Sequence, residues 1–128
     1  MKMAVDASAV LAILFDEPDA ELYFSKLLTA TTAMISPVNW WEVQANMLKA
    51  HGKAGEARSA KWMEDFGMRI EPITAIQARV AVEAFARYRG RPARLNMGDC
   101  FAYALAQAKG VPLLYKSKDF EGTDVAVA

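Results

Sequence analysis

The stretch MAVDASAVLAILF, residues 3–15, contains one charged side chain, Asp6, and one other polar side chain, Ser8. Its apolar beginning predicts a buried strand over residues 1–5, and the residues after Asp6 predict a helix over 7–15 that Asp6 or Ser8 caps. An ionised carboxylate is costly to bury unless it is capped, paired or bound to a metal ion. The stretch therefore predicts a strand that leads directly into a helix, with a carboxylate at the junction whose partner lies elsewhere in the sequence.

The composition is that of one folded domain covering residues 1–128. Hydrophobic residues make up 54% of the chain and aromatic residues 10%, which is typical of a globular protein with a core. The single cysteine, Cys100, excludes an internal disulfide and fits a reducing cytoplasm. No segment is apolar over the roughly 20 residues that span a bilayer, and the first residues lack the pattern of a signal peptide. We therefore expect a cytoplasmic protein that does not associate with membranes.

The charged residues balance, because 15 are basic and 15 are acidic. Contact with a nucleic acid therefore requires a local basic patch rather than a generally basic protein. One candidate patch consists of arginines around a Gly-Arg-Pro turn: Arg87, Arg89, Arg91 and Arg94. These side chains predict either an RNA-binding patch or a solvated loop, and the sequence leaves both interpretations open.

Strands and helices alternate along the whole chain. The hydrophobic pattern predicts strands over residues 1–5, 32–35, 68–70 and 111–114, with an edge strand over 125–127. It predicts helices over residues 7–15, 20–29, 37–49, 56–66, 74–87 and 97–109, with a stop at His51-Gly52. This alternation indicates an α/β fold of three layers, with a central, mostly parallel sheet of about four to five strands flanked by helices.

Four carboxylates are predicted to meet at one edge of this sheet. Ligands of open parallel sheets bind beyond the carboxyl ends of the strands, and Asp6 and Asp119 each follow a predicted strand. Glu42 projects from an apolar stripe of the helix that begins at Ser36-Pro37, and Asp99 lies in the first turn of another helix. These four side chains are the candidate site residues.

Three of the four carboxylates also have a plain structural explanation. Asp6 has the position of an N-cap, and Asp119 lies in a loop. Asn96 and Asp99 have the spacing of a capping box, in which each side chain bonds to the backbone of the other residue. Glu42 alone is not explained by capping, because it lies in the second turn of its helix and on the buried side.

Carboxylates that meet in this way need a positive counter-charge. Two of them about 4 Å apart repel by roughly 4 kcal/mol at an effective dielectric constant of about 20. No lysine, arginine or histidine lies close in sequence to Asp6, Glu42 or Asp99. Ligation by oxygen alone is typical of Mg²⁺ or Mn²⁺ rather than of zinc. The pattern therefore predicts a divalent-metal site that acts on a phosphodiester.

Four segments of the sequence resemble one enzyme family. They are VDASAVLAIL at residues 5–14, a glutamate in the helix after Ser36-Pro37, RLNMGDCFAYALA at 94–106 and PLLYKSKDFEGTDV at 112–125. In this order and spacing they resemble the PIN-domain ribonucleases, specifically the VapC toxins of bacterial type II toxin–antitoxin modules. The resemblance covers the whole chain. It implies a PIN fold, Mg²⁺-dependent cleavage of cellular RNA, often tRNA or rRNA, a homodimer, and inhibition by a VapB antitoxin.

The resemblance also implies roles for individual residues. Asp6 and Asp99 match the metal-binding aspartates of the family. Ser8 and Thr123 match supporting polar residues near the site, and Asp124 is a weaker match. The matched catalytic positions share a carboxylate side chain: Asp6, Glu42, Asp99 and Asp119.

Other classes of protein fit the sequence less well. A receiver-type phosphoacceptor domain needs adjacent acidic residues after its first strand, where this chain has Asp6 alone. A haloacid-dehalogenase phosphatase needs a second aspartate where Ser8 stands. A catalytically silent PIN-like module that binds RNA or a partner is the remaining alternative, and the presence of all four acidic positions favours the enzyme.

The remaining notable residues have structural explanations. We expect His51 at the surface, where it ends a helix with the following glycine, and Cys100 in the core. The Trp40-Trp41 pair before Glu42 departs from the family pattern, which puts the antitoxin or dimer contacts in doubt. We expect both tryptophans to serve in packing or partner contacts rather than in stacking on bases.

Overall fold

A four-stranded parallel sheet lies at the centre of the computed structural model, which describes residues 1–90 and 93–128. The strands are β1 (Lys2–Val5), β2 (Thr32–Ile35), β3 (Arg69–Ile70) and β4 (Leu113–Leu114). They are arranged in the order β3-β2-β1-β4, and each neighbouring pair is parallel. The predicted α/β architecture with a mostly parallel sheet is confirmed.

Helices cover the sheet and connect its strands. They are α1 (Ala7–Leu14), α2 (Ala20–Leu28), α3 (Pro37–Phe66), α4 (Ala75–Tyr88) and α5 (Met97–Lys109). Side-chain caps begin four of them, because oxygen atoms of Asp6, Ser36, Thr74 and Asn96 accept backbone N–H groups of the first turn. Gly110 ends α5 in the left-handed conformation that favours glycine.

The predicted stop at His51-Gly52 is a break inside α3 rather than the end of an element. Gly52 has φ 66° and ψ −156°, which is not helical, and the helical path resumes beyond it. The predicted helices over 37–49 and 56–66 are therefore the two parts of α3. His51 is exposed there, as expected.

The expected edge strand over 125–127 is wrong as a full strand. A single parallel bridge joins Val127 to Leu113. The Leu113 N–H donates to the Ala126 carbonyl at 2.8 Å, and the Ala128 N–H donates to the Leu113 carbonyl at 3.0 Å. Because β4 has only two residues, it offers too short an edge for a longer partner.

Two hydrophobic clusters lie on opposite faces of the sheet. Alternate residues of β1 point to different clusters, since Met3 and Val5 pack with α1 and α3, whereas Ala4 packs with α4 and α5. Cys100 is in the second of these clusters and is 2% exposed, so its predicted place in the core is confirmed. The described helices include none long and apolar enough to cross a membrane.

Candidate active site

Asp6 follows β1 directly and begins α1 as its N-cap. Its Oδ2 atom accepts hydrogen bonds from the Ser8 backbone N–H, at 3.0 Å, and from the Ser8 hydroxyl. The side chain is only 3% exposed. Burial raises the pKa of Asp6, although the bonds from Ser8 lower it in part. Capping accounts for one carboxylate oxygen, and the other, Oδ1, lies 3.5 Å from Nδ2 of Asn39.

Ser8 joins Asp6 to the segment that carries Asp119. The backbone N–H groups of Lys116 and Ser117, beyond β4, donate to the Ser8 hydroxyl oxygen at 2.9 and 3.1 Å. The Ser117 hydroxyl accepts the Asp119 N–H at 3.3 Å and so begins a short 3₁₀ turn. The Asp119 charge is near enough to raise the pKa of Asp6 further. Ser8 thereby holds two carboxylates at the same edge of the sheet.

Glu42 extends from the second turn of α3 to the first turn of α5. Its Oε1 atom accepts a hydrogen bond from Nδ2 of Asn39 at 2.8 Å. Its carboxylate lies directly on Gly98, where any added Cβ would overlap the carboxylate oxygens. Asn39 is fully buried and also donates to the Gly98 carbonyl, at 2.9 Å. Burial raises the pKa of Glu42, the Asn39 hydrogen bond lowers it, and the Asp6 charge raises it again.

Sequence reasoning misses Asn39 and Gly98. Asn39 lies three residues before Glu42 on nearly the same face of α3. A polar residue on that apolar stripe is the signal that could have identified it. Gly98 has no comparable signal, because its importance arises only from the approach of a side chain from another helix.

Asp99 both caps α5 and belongs to the acidic group. The Asn96 side chain accepts the Asp99 N–H at 2.9 Å, and Asp99 Oδ2 accepts the Asn96 N–H at 3.1 Å, which completes the predicted capping box. The Asp99 side chain is 7% exposed. Burial raises its pKa to about 7, against the bond from Asn96, and the charges of Asp6, Asp119 and Glu42 add to the rise. Asp99 therefore serves both as part of the helix cap and as a member of the acidic group.

The acidic group is held by neutral donors rather than by a basic side chain. Lys116, which is close in sequence to Asp119, instead places Nζ 2.8 Å from Glu17 and 3.0 Å from Asp19. Across residues 1–90 and 93–128, no three acidic, histidine or cysteine side chains are grouped so as to hold an ion by themselves. Mg²⁺ commonly binds one or two carboxylates and keeps several waters, so it does not need three grouped ligands. The all-oxygen donor set and the raised carboxyl pKa values fit a hard divalent ion.

Two further residues matched by resemblance serve the surrounding scaffold. The Thr123 hydroxyl donates to the Phe120 carbonyl at 2.8 Å and accepts the Val125 N–H at 3.3 Å, which closes the C-terminal loop. Asp124 accepts a hydrogen bond from the hydroxyl of the buried Tyr103 at 2.6 Å. That bond lowers the pKa of Asp124. These contacts give neither residue a direct bond to the acidic group.

The arginines of the predicted patch lie in different environments. Arg87 lies 3.7 Å from the Asp124 carboxylate, and the Arg89 guanidinium lies 5.8 Å from the centre of the Phe85 ring. Arg94 is exposed and has a positive φ of 58°. Arg91 lies outside the described residues. The three described arginines are exposed and can reach a ligand in solvent.

A comparison with protein-family models matches residues 3–126 to the PIN domain. Among curated proteins, Ribonuclease VapC42 of Mycobacterium tuberculosis strain H37Rv is 37% identical over 98% of this chain and 98% of its own length. Ribonuclease VapC of Mycolicibacterium smegmatis is 39% identical over 97% of this chain and 98% of its own length.

Solved structures give the same fold. Mycobacterium tuberculosis VapC20, described as a sarcin–ricin loop cleaving toxin, aligns with a TM-score of 0.79 at 18% identity over 98% of both chains. A toxin–antitoxin complex from Klebsiella pneumoniae aligns with a TM-score of 0.74 at 23% identity, over 98% of this chain and 96% of the other. At these identities the structural alignments show the fold alone.

Proposed function

Since the chain belongs to the PIN-domain family, and within it to the VapC ribonucleases, we propose that its acidic edge hydrolyses RNA with Mg²⁺. The protein is the ribonuclease toxin of a VapBC toxin–antitoxin system. The observation that carries the proposal is the group of Asp6, Glu42 and Asp99, buried or half-buried at one edge of the sheet without a basic partner among the described contacts.

We assign Asp6 and Asp99 as ligands of the Mg²⁺ ion. Mn²⁺ is expected to substitute for Mg²⁺ at this site. A bound divalent ion supplies positive charge beside the scissile phosphate. Glu42 and Asp119 would complete the set of oxygen ligands around the ion or orient the water that attacks the phosphorus atom. Burial raises the pKa of Glu42, which makes its carboxylate a stronger base and supports Glu42 as the group that takes the proton from that water.

The substrate is proposed to be a structured cellular RNA, tRNA or rRNA. The exposed arginines Arg87, Arg89 and Arg94 are candidates for contacts with its phosphates, and Arg91 belongs to the same predicted patch. One fold relative is described as cleaving the sarcin–ricin loop, which supports an RNA of this kind. Neutralising one arginine is expected to weaken binding and its salt dependence together.

The proposed partners are a VapB antitoxin and a second copy of the chain. Toxin–antitoxin complexes among the fold relatives support the antitoxin. Trp41 is 67% exposed next to Glu42, and Val82 and Met97 are 69% and 65% exposed on α4 and α5. Val82 and Met97 line one apolar pocket together with Phe85 and Phe101, and a contiguous apolar surface of this kind favours burial against a partner, which supports a second copy of the chain. Light scattering on purified protein measures the oligomeric state.

The cytoplasm remains the expected location of the protein.

The first test is cleavage of total cellular RNA by purified protein, with Mg²⁺, with EDTA, and with Asp99→Asn in place of the wild type. We expect discrete fragments only with the wild type and the metal. If folded protein free of antitoxin leaves all RNA intact in every lane, the chain is instead a PIN-like module that binds RNA or a partner without cutting it.

A further inference from the structure

We infer that Asn39 is a positioning residue of this site: its side-chain amide holds the Glu42 carboxylate against the first turn of α5, beside Asp6. This role rests on the proposed function, because it concerns the assembly of the metal-binding edge. The Nδ2 atom lies 2.8 Å from Glu42 Oε1, 2.9 Å from the Gly98 carbonyl oxygen and 3.5 Å from Asp6 Oδ1. One buried amide therefore joins Glu42, on its own helix, to the first turn of α5 and lies close to Asp6 at the junction of β1 and α1.

The distances order these three contacts. An amide group has two N–H bonds, and the two short distances assign them to Glu42 and to the carbonyl of Gly98. That pair of bonds fixes the Glu42 carboxylate against α5, where Gly98 leaves room for it. The longer contact leaves Asp6 Oδ1 available to a cation.

The chemistry of an amide suits this position better than the alternatives. A lysine or arginine here would also donate to the carboxylates, but its positive charge would replace the cation that the site is proposed to bind. Another carboxylic acid would add to the repulsion within the group. A neutral donor brings the oxygen atoms together and leaves their negative charge available.

The oxygen atom of the Asn39 amide shows that packing does not explain why asparagine occupies this position. Asn39 is 0% exposed, and its Oδ1 atom has no hydrogen-bond partner in the part of the chain that the structure describes. A buried acceptor without a partner destabilises the fold, and an apolar side chain of similar size would avoid that cost. The presence of asparagine is therefore explained by the hydrogen bonds that its Nδ2 atom donates.

The experiment compares Asn39→Leu with Asn46→Leu in the full chain. Asn46 is a matched control, because it is also on α3 and donates to Glu42, but to its backbone carbonyl and from an exposed position. Mn²⁺ binding without RNA is measured by calorimetry, and RNA cleavage is measured as a function of Mg²⁺ concentration. Asn39→Ala replaces Asn39→Leu if the larger side chain prevents folding, which circular dichroism reports.

We expect Asn39→Leu to bind Mn²⁺ about 10–100-fold more weakly, with cleavage partly restored at high Mg²⁺, and Asn46→Leu to behave as the wild type. In a Glu42→Ala background the same change should cost much less, because the carboxylate that Asn39 positions is already absent. Unchanged Mn²⁺ affinity, fully additive effects, or failure of both Asn39 variants to fold would overturn the role of Asn39. If the wild type itself binds no Mn²⁺, or Asp99→Asn binds it equally well, the proposed metal site fails instead.

Discussion

Two groups of carboxylates near the loop after β4 are stabilised in opposite ways. Glu17 and Asp19 are partly exposed and share the ammonium group of Lys116, at 2.8 and 3.0 Å. Asp6 and Asp99 are 3% and 7% exposed, and their hydrogen bonds come from neutral N–H and O–H groups. The first group has a cationic partner, and the second has none.

This difference separates an ordinary surface ion pair from a site that requires a ligand. Exposed ion pairs contribute little to stability because water already solvates both charges. Buried carboxylates without a counter-ion destabilise the folded state, and their pKa values rise in consequence. A fold that keeps such a group retains it for function rather than for stability.

The largest expected effect comes from Asp99→Asn, which should change activity and stability in opposite directions. We expect RNA cleavage to fall at least about 100-fold, since loss of a metal ligand should exceed the loss of an outer partner. The metal-free protein should melt at a higher temperature at pH 8, because asparagine keeps the capping geometry and removes a buried charge. Cleavage assays and thermal melts in EDTA measure the two effects.

Asp19→Asn is the matched control for that experiment, because it removes a carboxylate that already has a cation. We expect normal cleavage and no gain in melting temperature. A melting temperature raised equally by both substitutions would mean that the Lys116 ammonium group makes no difference between the two acidic groups.

Gly98→Ala tests whether the close approach of Glu42 matters. The added methyl group would occupy the space of the Glu42 carboxylate, so the side chain must move away from the acidic edge. We expect cleavage to fall about 10–100-fold, with helix content unchanged. Gly90→Ala is the control, because a Cβ there meets no atom within 4 Å. Normal cleavage by Gly98→Ala would mean that the site tolerates a displaced Glu42.

The stability of the metal-free protein should depend on pH through Asp99. Burial raises the pKa of Asp99 to about 7 in the folded protein, from its ordinary value of 3.8. In the metal-free protein, stability from this group is therefore greatest at low pH and is lost as the pH rises from about 4 to about 7. The free energy of unfolding that is lost between these pH values has an upper limit of about 4 kcal/mol. Solvent screening reduces it below that limit.

Metal binding should show the opposite trend, because the ion competes with the proton. We expect Mn²⁺ affinity to weaken below pH 7, by up to about tenfold for each pH unit, and to level off above it. Calorimetry at pH 5.5, 7 and 8 measures this dependence. An affinity that does not vary over this range would show that Asp99 is already ionised without the metal.

Local signals in the sequence predict the elements that carry the site. The strand over 32–35 and the helix over 97–109 are predicted with the bounds that the structure has. Both are marked by short-range chemistry, since Ser36-Pro37 follows the strand and Gly110 ends the helix. The break at Gly52 is likewise predicted from glycine, although the chain resumes its helix beyond it.

Contacts between distant segments are not predictable in this way. Neither the donation of Asn39 to Gly98, across 59 positions of sequence, nor that of Lys116 to Ser8, across 108, follows from any periodic pattern. The expected strand over 125–127 fails for a similar reason, because its extent depends on the short β4 beside it. The sequence thus predicts the candidate carboxylates but not the neutral groups that hold them together.

The smallest expected effect comes from Lys116→Met, which removes the cation shared by Glu17 and Asp19. Cleavage should be retained, because it is the backbone N–H of Lys116 that bonds to Ser8, and that group is unchanged by the substitution. The melting temperature should change little, since exposed ion pairs contribute little. Thermal melts at low and high salt, together with the RNA assay, measure both outcomes. Loss of cleavage comparable to that of Asp99→Asn would place the ammonium group within the site and would remove the distinction between the two acidic groups.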